Sequence, residues 1–271
     1  MSTARAPIRW PAEAIWERIA PLLPSFTVEV LPQVDSSNSE LMRRARAGQT
    51  EPTMLVAEAQ SAGRGRMGKS WSSEPGASLT FSLGLALAPR DWSGLSLAVG
   101  LAIAESLHPQ IRIKWPNDLY IDGRKLGGIL VETASSGPGQ GAAAMRHTVI
   151  GIGINIGPRP VQGLATVPAW LQELQTAMDA GQALEQVALP LVQALLTFNH
   201  EGFAPLASRY AARDVLEGRE VTLSDGRSGQ ACGVSASGAL LVHTAAGMQH
   251  ITSSEVSVRP AQNPRALAGG S

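Results

Sequence analysis

Three glycines interleaved with Arg64, Arg66 and Lys69 in the segment EAQSAGRGRMGKSW, residues 58–71, make an anion site chemically plausible from composition alone. Glycine lets the backbone turn its N–H groups toward an anion, and the cations neutralise its charge. The spacing is not that of the GxxxxGK[ST] phosphate loop, so a solvated basic loop stays open as the plain alternative. A second segment, KWPNDLYIDGRKLGG over residues 114–128, sets Lys114, Asn117, Asp118 and Lys125 around one short hairpin. Its Trp-Pro pair restricts the chain ahead of Asn-Asp, which limits the freedom of the polar side chains. Cations held in place with no nucleophile-and-base motif suit charge stabilisation and alignment more than covalent catalysis.

These segments need elements to position them. Residues 10–23 read as a short amphipathic helix, 26–31 as a strand, and 39–47 as a helix opened by the capping-competent run Asp35, Ser36, Ser37 and Asn38. Strands follow at 53–58, 79–87, 111–115, 119–121, 125–132 and 147–156, with a helix at 95–107. Asp122 and Gly123 supply a hairpin turn. Residues 134–144 read as a mobile Gly-rich loop, and in VIGIGINIG the glycines stand where a side chain would block close approach. Residues 168–212 read as helical, most clearly 184–198. Short strands broken by Asp225-Gly226, Ser237-Gly238 and Ala246-Gly247 then suggest a small β-barrel. The expected class is α+β, with a larger domain over 1–213, a small all-β domain over 214–260 and a disordered tail over 261–271.

Composition narrows the function. The 271 residues are 44% hydrophobic, and 22 Lys plus Arg balance 22 Asp plus Glu, so no global basic field exists to hold nucleic acid or an anionic membrane. No apolar run reaches membrane-spanning length and the amino end lacks a signal-peptide core, so a soluble cytoplasmic protein is expected. The single cysteine, Cys232, excludes an internal disulfide and is read as a small buried apolar residue. The five histidines show no metal-ligand spacing, so no protein-held metal is expected.

Taken together, GRGRMGKSW, KWPND, RKLGGILVE and GIGINIG, in that order with DSSN upstream, resemble the biotin protein ligase family, the biotin–acetyl-CoA-carboxylase ligases, over about residues 34–260. The resemblance implies a mixed β-sheet flanked by helices, the class II synthetase-like ligase domain, followed by a small carboxy-terminal β-barrel. It implies formation of biotinyl-5′-adenylate from biotin and ATP with Mg²⁺, then transfer of biotin to a lysine of a biotin carboxyl carrier domain. About 35 residues precede DSSN, too few for a winged DNA-binding domain, so a ligase without repressor function and without a nucleic-acid partner is expected.

Carried over residue by residue, the resemblance places Ser36, Ser37, Asn38 and Gln60 at the ureido head of biotin, with Ser37 standing where the family usually has Thr. Arg64, Gly65 and Arg66 belong to a loop ordering over the adenylate. Met67 and Lys69 depart from the family's Arg-rich pattern there and reduce the loop charge. Lys125 reaches the biotin carboxyl and the α-phosphate, Lys114 assists with phosphates, and Asp118 orients or deprotonates the incoming lysine amine. Trp71, Leu130, Gly127 and Gly128 line the apolar slot, Asn155 contacts the adenylate or its phosphates, and Arg259 approaches the ATP site. A lipoate-type acyl-protein ligase and a non-catalytic biotin or adenylate sensor are the competing readings. A monomer and a homodimer paired through an edge strand both stay open.

Overall fold

The computed structural model describes residues 8–135, 145–158, 167–252 and 258–260. The expected tail and most of the loop at 134–144 lie outside these residues. Seven strands form one mixed sheet: β1 (Thr27–Val34), β2 (Thr53–Gln60), β3 (Ser78–Leu87), β4 (Arg112–Lys114), β5 (Asp118–Ile121), β6 (Arg124–Ser135) and β7 (Arg146–Asn155). Their order is β1-β2-β3-β7-β6-β5-β4, parallel between β1 and β2 and antiparallel elsewhere.

Alternation along the strands sorts the two faces. Leu79, Phe81, Leu83 and Leu85 of β3 are buried in the main core, together with helices α1 (Ala12–Ile19), α3 (Leu95–Leu107) and α4 (Ala180–Glu201). Helix α3 is apolar nearly all round because it lies between the sheet and α4. The intervening Thr80, Ser82 and Gly84 turn to the other face, where α2 (Ser37–Arg46) lies on a small core of Leu41, Met42, Leu55 and Val149. One face is thus apolar throughout, while the α2 face has polar atoms beside the helix's N-terminal turn.

The hairpin between β5 and β6 turns through Asp122 (φ 46°) and Gly123 (φ 75°), the paired left-handed conformation that Asp-Gly favours. Register slips between Leu119 and Tyr120, so the ladder resumes at Lys125 and Leu126 is the extra residue. Helix α4 begins at the reciprocal cap of Asp179 and Gln182, ahead of the apolar periodicity visible in sequence.

The carboxy-terminal residues form a five-stranded antiparallel sheet ordered β11-β10-β9-β8-β12, from β8 (Glu220–Leu223), β9 (Ser228–Val234), β10 (Leu240–Thr244), β11 (Gly247–Ile251) and β12 (Val258–Pro260). Cys232 corrects the reading of its burial: the residue is exposed, because β9 alternates and Ala231 and Gly233 take the inward positions. This sheet docks through the turn after β9. The buried Trp115 indole donates to the Gly238 carbonyl at 3.1 Å, and a Cβ on Gly238 would stand 2.6 Å from Gly94 Cα. The linker also caps β4, with Ile113 N–H donating to Arg213 O (2.8 Å) and Val215 N–H to Ile113 O (3.0 Å).

Candidate active site

A cavity of about 340 Å³ opens on the α2 face, at the N-terminal turn of that helix. Ser36, Ser37, Asn38, Gln60, Arg64, Gly65, Arg66, Trp71, Lys114, Asp118, Lys125, Gly128 and Leu130 all line it. The chain segments that looked chemical in sequence therefore meet in one place.

At one end hydroxyls and amides are already networked, beside the Arg64–Glu132 ion pair. Ser36 caps α2, its hydroxyl accepting from Ser39 N–H at 3.4 Å. Ser37 donates its backbone N–H to Gln60 Oε1 at 2.8 Å. Ser82 Oγ lies 2.6 Å from Asn38 Oδ1 and 2.7 Å from Ser37 Oγ. Buried hydroxyls and amides with fixed orientations, set at the positive end of a helix, suit a compact polar group carrying both donors and acceptors.

At the other end charge accumulates. Lys125 Nζ is 2.6 Å from Asp118 Oδ1, and Lys114 sits over the Tyr120 ring at 5.3 Å. Arg66 donates to Asn117 Oδ1 at 3.1 Å, and Asn117 Nδ2 donates to the Ile129 carbonyl at 2.7 Å, which fixes the amide so that its oxygen faces Arg66. Burial lowers the Arg66 pKa, opposed by the Asp118 charge; burial likewise pushes the Tyr120 phenol up to about 12, with Asp118 adding. Asp118 is the one carboxylate among the lining residues, set against Arg66, Lys114 and Lys125, so this end attracts anions.

Strand β6 links the two ends. Gly128 faces Lys125 and Asp118, and the Asn38 amide meets the same strand further on, at the Leu130 carbonyl (3.3 Å) and the Glu132 carboxylate (3.0 Å). A Cβ on Gly128 would lie 3.3 Å from Lys125 Nζ and 3.4 Å from Asp118 Oδ1, so the missing side chain leaves these two groups their space. Gly151 and Gly153 of β7 act in the same way: a Cβ on the first would collide with the Asn38 amide, and on the second with the Trp71 ring.

Two expected residues, Gly127 and Asn155, sit outside the cavity lining. Gly127 is outside the cavity lining, and its Cβ position is 2.5 Å from the Gly153 carbonyl, so it serves close strand approach. Asn155 is buried behind the wall, donating to Ala169 O at 3.0 Å and Lys125 O at 3.4 Å. Arg259 is placed by its backbone opposite Thr222, in β12. Sequence reasoning passed over Thr80, Ile152 and Gly151 as lining residues, and Ser82 and Glu132 as partners of the lining. The signal for Thr80 and Ser82 was their period-two alternation with Leu79, Phe81 and Leu83.

Residues 30–155 match the Biotin/lipoate A/B protein ligase family and residues 216–259 the Biotin protein ligase C terminal domain. The chain is 37% identical over 260 residues to the bifunctional ligase/repressor BirA of Salmonella typhimurium, covering 91% of this chain and 78% of that protein. It is 32% identical over 245 residues to the biotin--[acetyl-CoA-carboxylase] ligase of Paracoccus denitrificans, covering 84% of this chain and 98% of that one. The chain belongs to the biotin protein ligase family. Its fold agrees: the biotin protein ligase of Aquifex aeolicus, solved with biotin and ATP, superposes with a TM-score of 0.73 at 27% identity, covering 86% of this chain and 99% of that one.

Proposed function

We propose that this chain joins biotin to ATP as biotinyl-5′-adenylate, with release of pyrophosphate, and then transfers the biotinyl group to a lysine of a biotin carboxyl carrier domain. The observation that carries the reading is that one cavity joins an end of networked hydroxyls and amides to an end where Lys125, Lys114 and Arg66 gather, because biotin has a ureido head, an apolar middle and a terminal carboxylate. Ser36, Ser37, Asn38 and Gln60 hold the head, and Trp71, Leu130 and Gly128 border the rings and chain.

The carboxylate of biotin attacks the α-phosphate and pyrophosphate leaves, so no protein nucleophile is required. Lys125 faces the carboxylate and the α-phosphate as negative charge gathers between them, with Arg66 and Lys114 on the phosphates. Asp118 then receives or orients the carrier's amine, which near its ordinary pKa of about 10.4 must lose a proton before it attacks the adenylate. Among the described residues no group of three His, Cys, Asp or Glu side chains is placed to hold a metal. Magnesium would come with ATP and supply neutralisation of the phosphate charge.

In this reading residues 1–213 are the catalytic unit and 214–260 the small all-β unit, and Asn155 acts on Lys125 through its backbone. Among the described residues no helix is long and apolar enough to cross a membrane, in keeping with work in the cytoplasm. The test is pyrophosphate release from MgATP with biotin and, in parallel, lipoate, with and without an apo carrier domain whose mass is followed. One biotinyl mass gained, with biotin only, supports the ligase. Turnover with lipoate moves the substrate assignment to the lipoyl acid, and biotin binding without turnover leaves a sensor.

A further inference from the structure

The geometry points to Glu132 as a positioning residue that ties closure of the glycine-rich loop to the end of the cavity that holds the substrate's polar head; this rests on the reading above. Glu132 lies on β6 with its side chain about three-quarters shielded, and one carboxylate serves two masters. It accepts from Asn38 Nδ2 at 3.0 Å and, in a two-pronged contact, from Arg64 Nη1 at 3.1 Å and Nη2 at 2.9 Å. Arg64 also reaches Ser39 Oγ, in the first turn of α2, at 3.3 Å.

A carboxylate and a backbone carbonyl accept only, and Asn38 Nδ2 faces both Glu132 and the Leu130 carbonyl (3.3 Å), so the amide of Asn38 is held with its oxygen toward Ser82. The orientation that presents Asn38 to a ligand is thus set by the same group that anchors Arg64. The loop has a second tether, Arg66 to Asn117, at the cationic end. Loop closure and head-group recognition therefore share Glu132, and a ligand that needs Asn38 in this orientation also favours the closed loop. A surface ion pair without such a role would gain nothing from the contact to Asn38.

Glu132→Gln keeps the oxygen that accepts from Asn38 and Arg64 Nη1 but removes the charge and turns an amide N–H₂ toward Arg64 Nη2. The expected result is escape of preformed biotinyl-adenylate about tenfold faster, a larger change than any fall in the rate of its formation. Arg64→Ala should match this, the double variant should add nothing further, and Glu132→Asp should restore part of the retention. Hydrogen exchange of the amides at 61–70 in the ligand-free protein should rise in Glu132→Gln. Unchanged escape and exchange, or effects of the two single variants that add, would overturn the proposal. A wild-type protein that makes no adenylate would instead overturn the ligase reading, while the exchange comparison, which needs no turnover, still decides whether Glu132 tethers the loop.

Discussion

Lys125 and Asp118 meet at 2.6 Å across β5 and β6, at the point where the ladder slips by one residue. A regular hairpin would have continued pairing through Leu126, whereas the slip leaves Lys125 opposite Tyr120 and its ammonium beside the carboxylate that precedes β5's apolar residues. Asp118 thus holds the ammonium in the cavity before any substrate arrives.

Replacing Lys125 by Met, which retains most of the side chain's length, should lower biotinyl-adenylate formation by about 100-fold or more, the usual effect of losing one preorganised electrostatic group. Biotin should still bind, because the residues proposed for its head lie on β2 and at the start of α2. Pre-steady-state pyrophosphate release and calorimetry with biotin separate the two, and formation at the parental rate would remove Lys125 from the chemistry.

Arg66→Ala breaks the tether to Asn117 and should speed adenylate escape about tenfold, equivalent to ~1.4 kcal/mol of retention. The readout is labelling of bystander lysines on an unrelated protein. Labelling that stays confined to the carrier would mean that Arg66 does not hold the loop down.

Gly151→Ala and Gly153→Ala should separate recognition of the head from the ring wall. The first drives a methyl into Asn38 and the second into Trp71, in a strand otherwise able to accept alanine. Each should raise the KM for biotin about tenfold or more while leaving the KM for ATP less affected. Equal losses in both would point to a general disturbance of β7.

How far the chain's letters foretold this arrangement varies with the physics. Helix α3 was legible because residues 95–107 are apolar or small apart from Ser96, Glu105 and Ser106, and the hairpin turn because Asp-Gly has few alternatives. The start of α2 was legible through DSSN, since side chains that cap a helix announce themselves by type, whereas the role of Ser36, Ser37 and Asn38 toward a ligand was suggested only by the family resemblance. Glu132 was not: one carboxylate at the end of GGILVE reads as a solvent-facing strand residue, and its two partners lie 94 and 68 residues away. Cys232 was misplaced because residue type was allowed to outweigh alternation, although SGQACGV puts Ala231 inside and Cys232 outside.

Asp214, in the linker to the small sheet, carries a pH dependence of its own. Burial is the largest cause holding its carboxyl up at about 6 against an ordinary 3.8, with the Glu217 charge adding and backbone N–H groups opposing. Between about pH 4 and pH 6 the folded chain keeps a proton that the unfolded chain has lost, so folding stability from this group falls as pH rises through that window. Asp214→Asn cannot titrate and should gain on the wild type by up to about 3 kcal/mol between pH 4 and pH 7. Denaturant unfolding at the two pH values checks this, and parallel curves for the two proteins would place the carboxyl in a wetter site.

The hydrogen bond from Trp115 to Gly238 makes the small sheet a neighbour of the reaction, because Trp115 is followed directly by the segment that supplies Asn117 and Asp118. A glycine that cannot accept even a methyl against Gly94 fits the two parts together with very little tolerance. Anyone transplanting the catalytic sheet into a fusion protein would have to carry the turn after β9 with it, and a chimera taking its small sheet from a distant relative would inherit a misaimed Asp118 unless that joint were rebuilt as well.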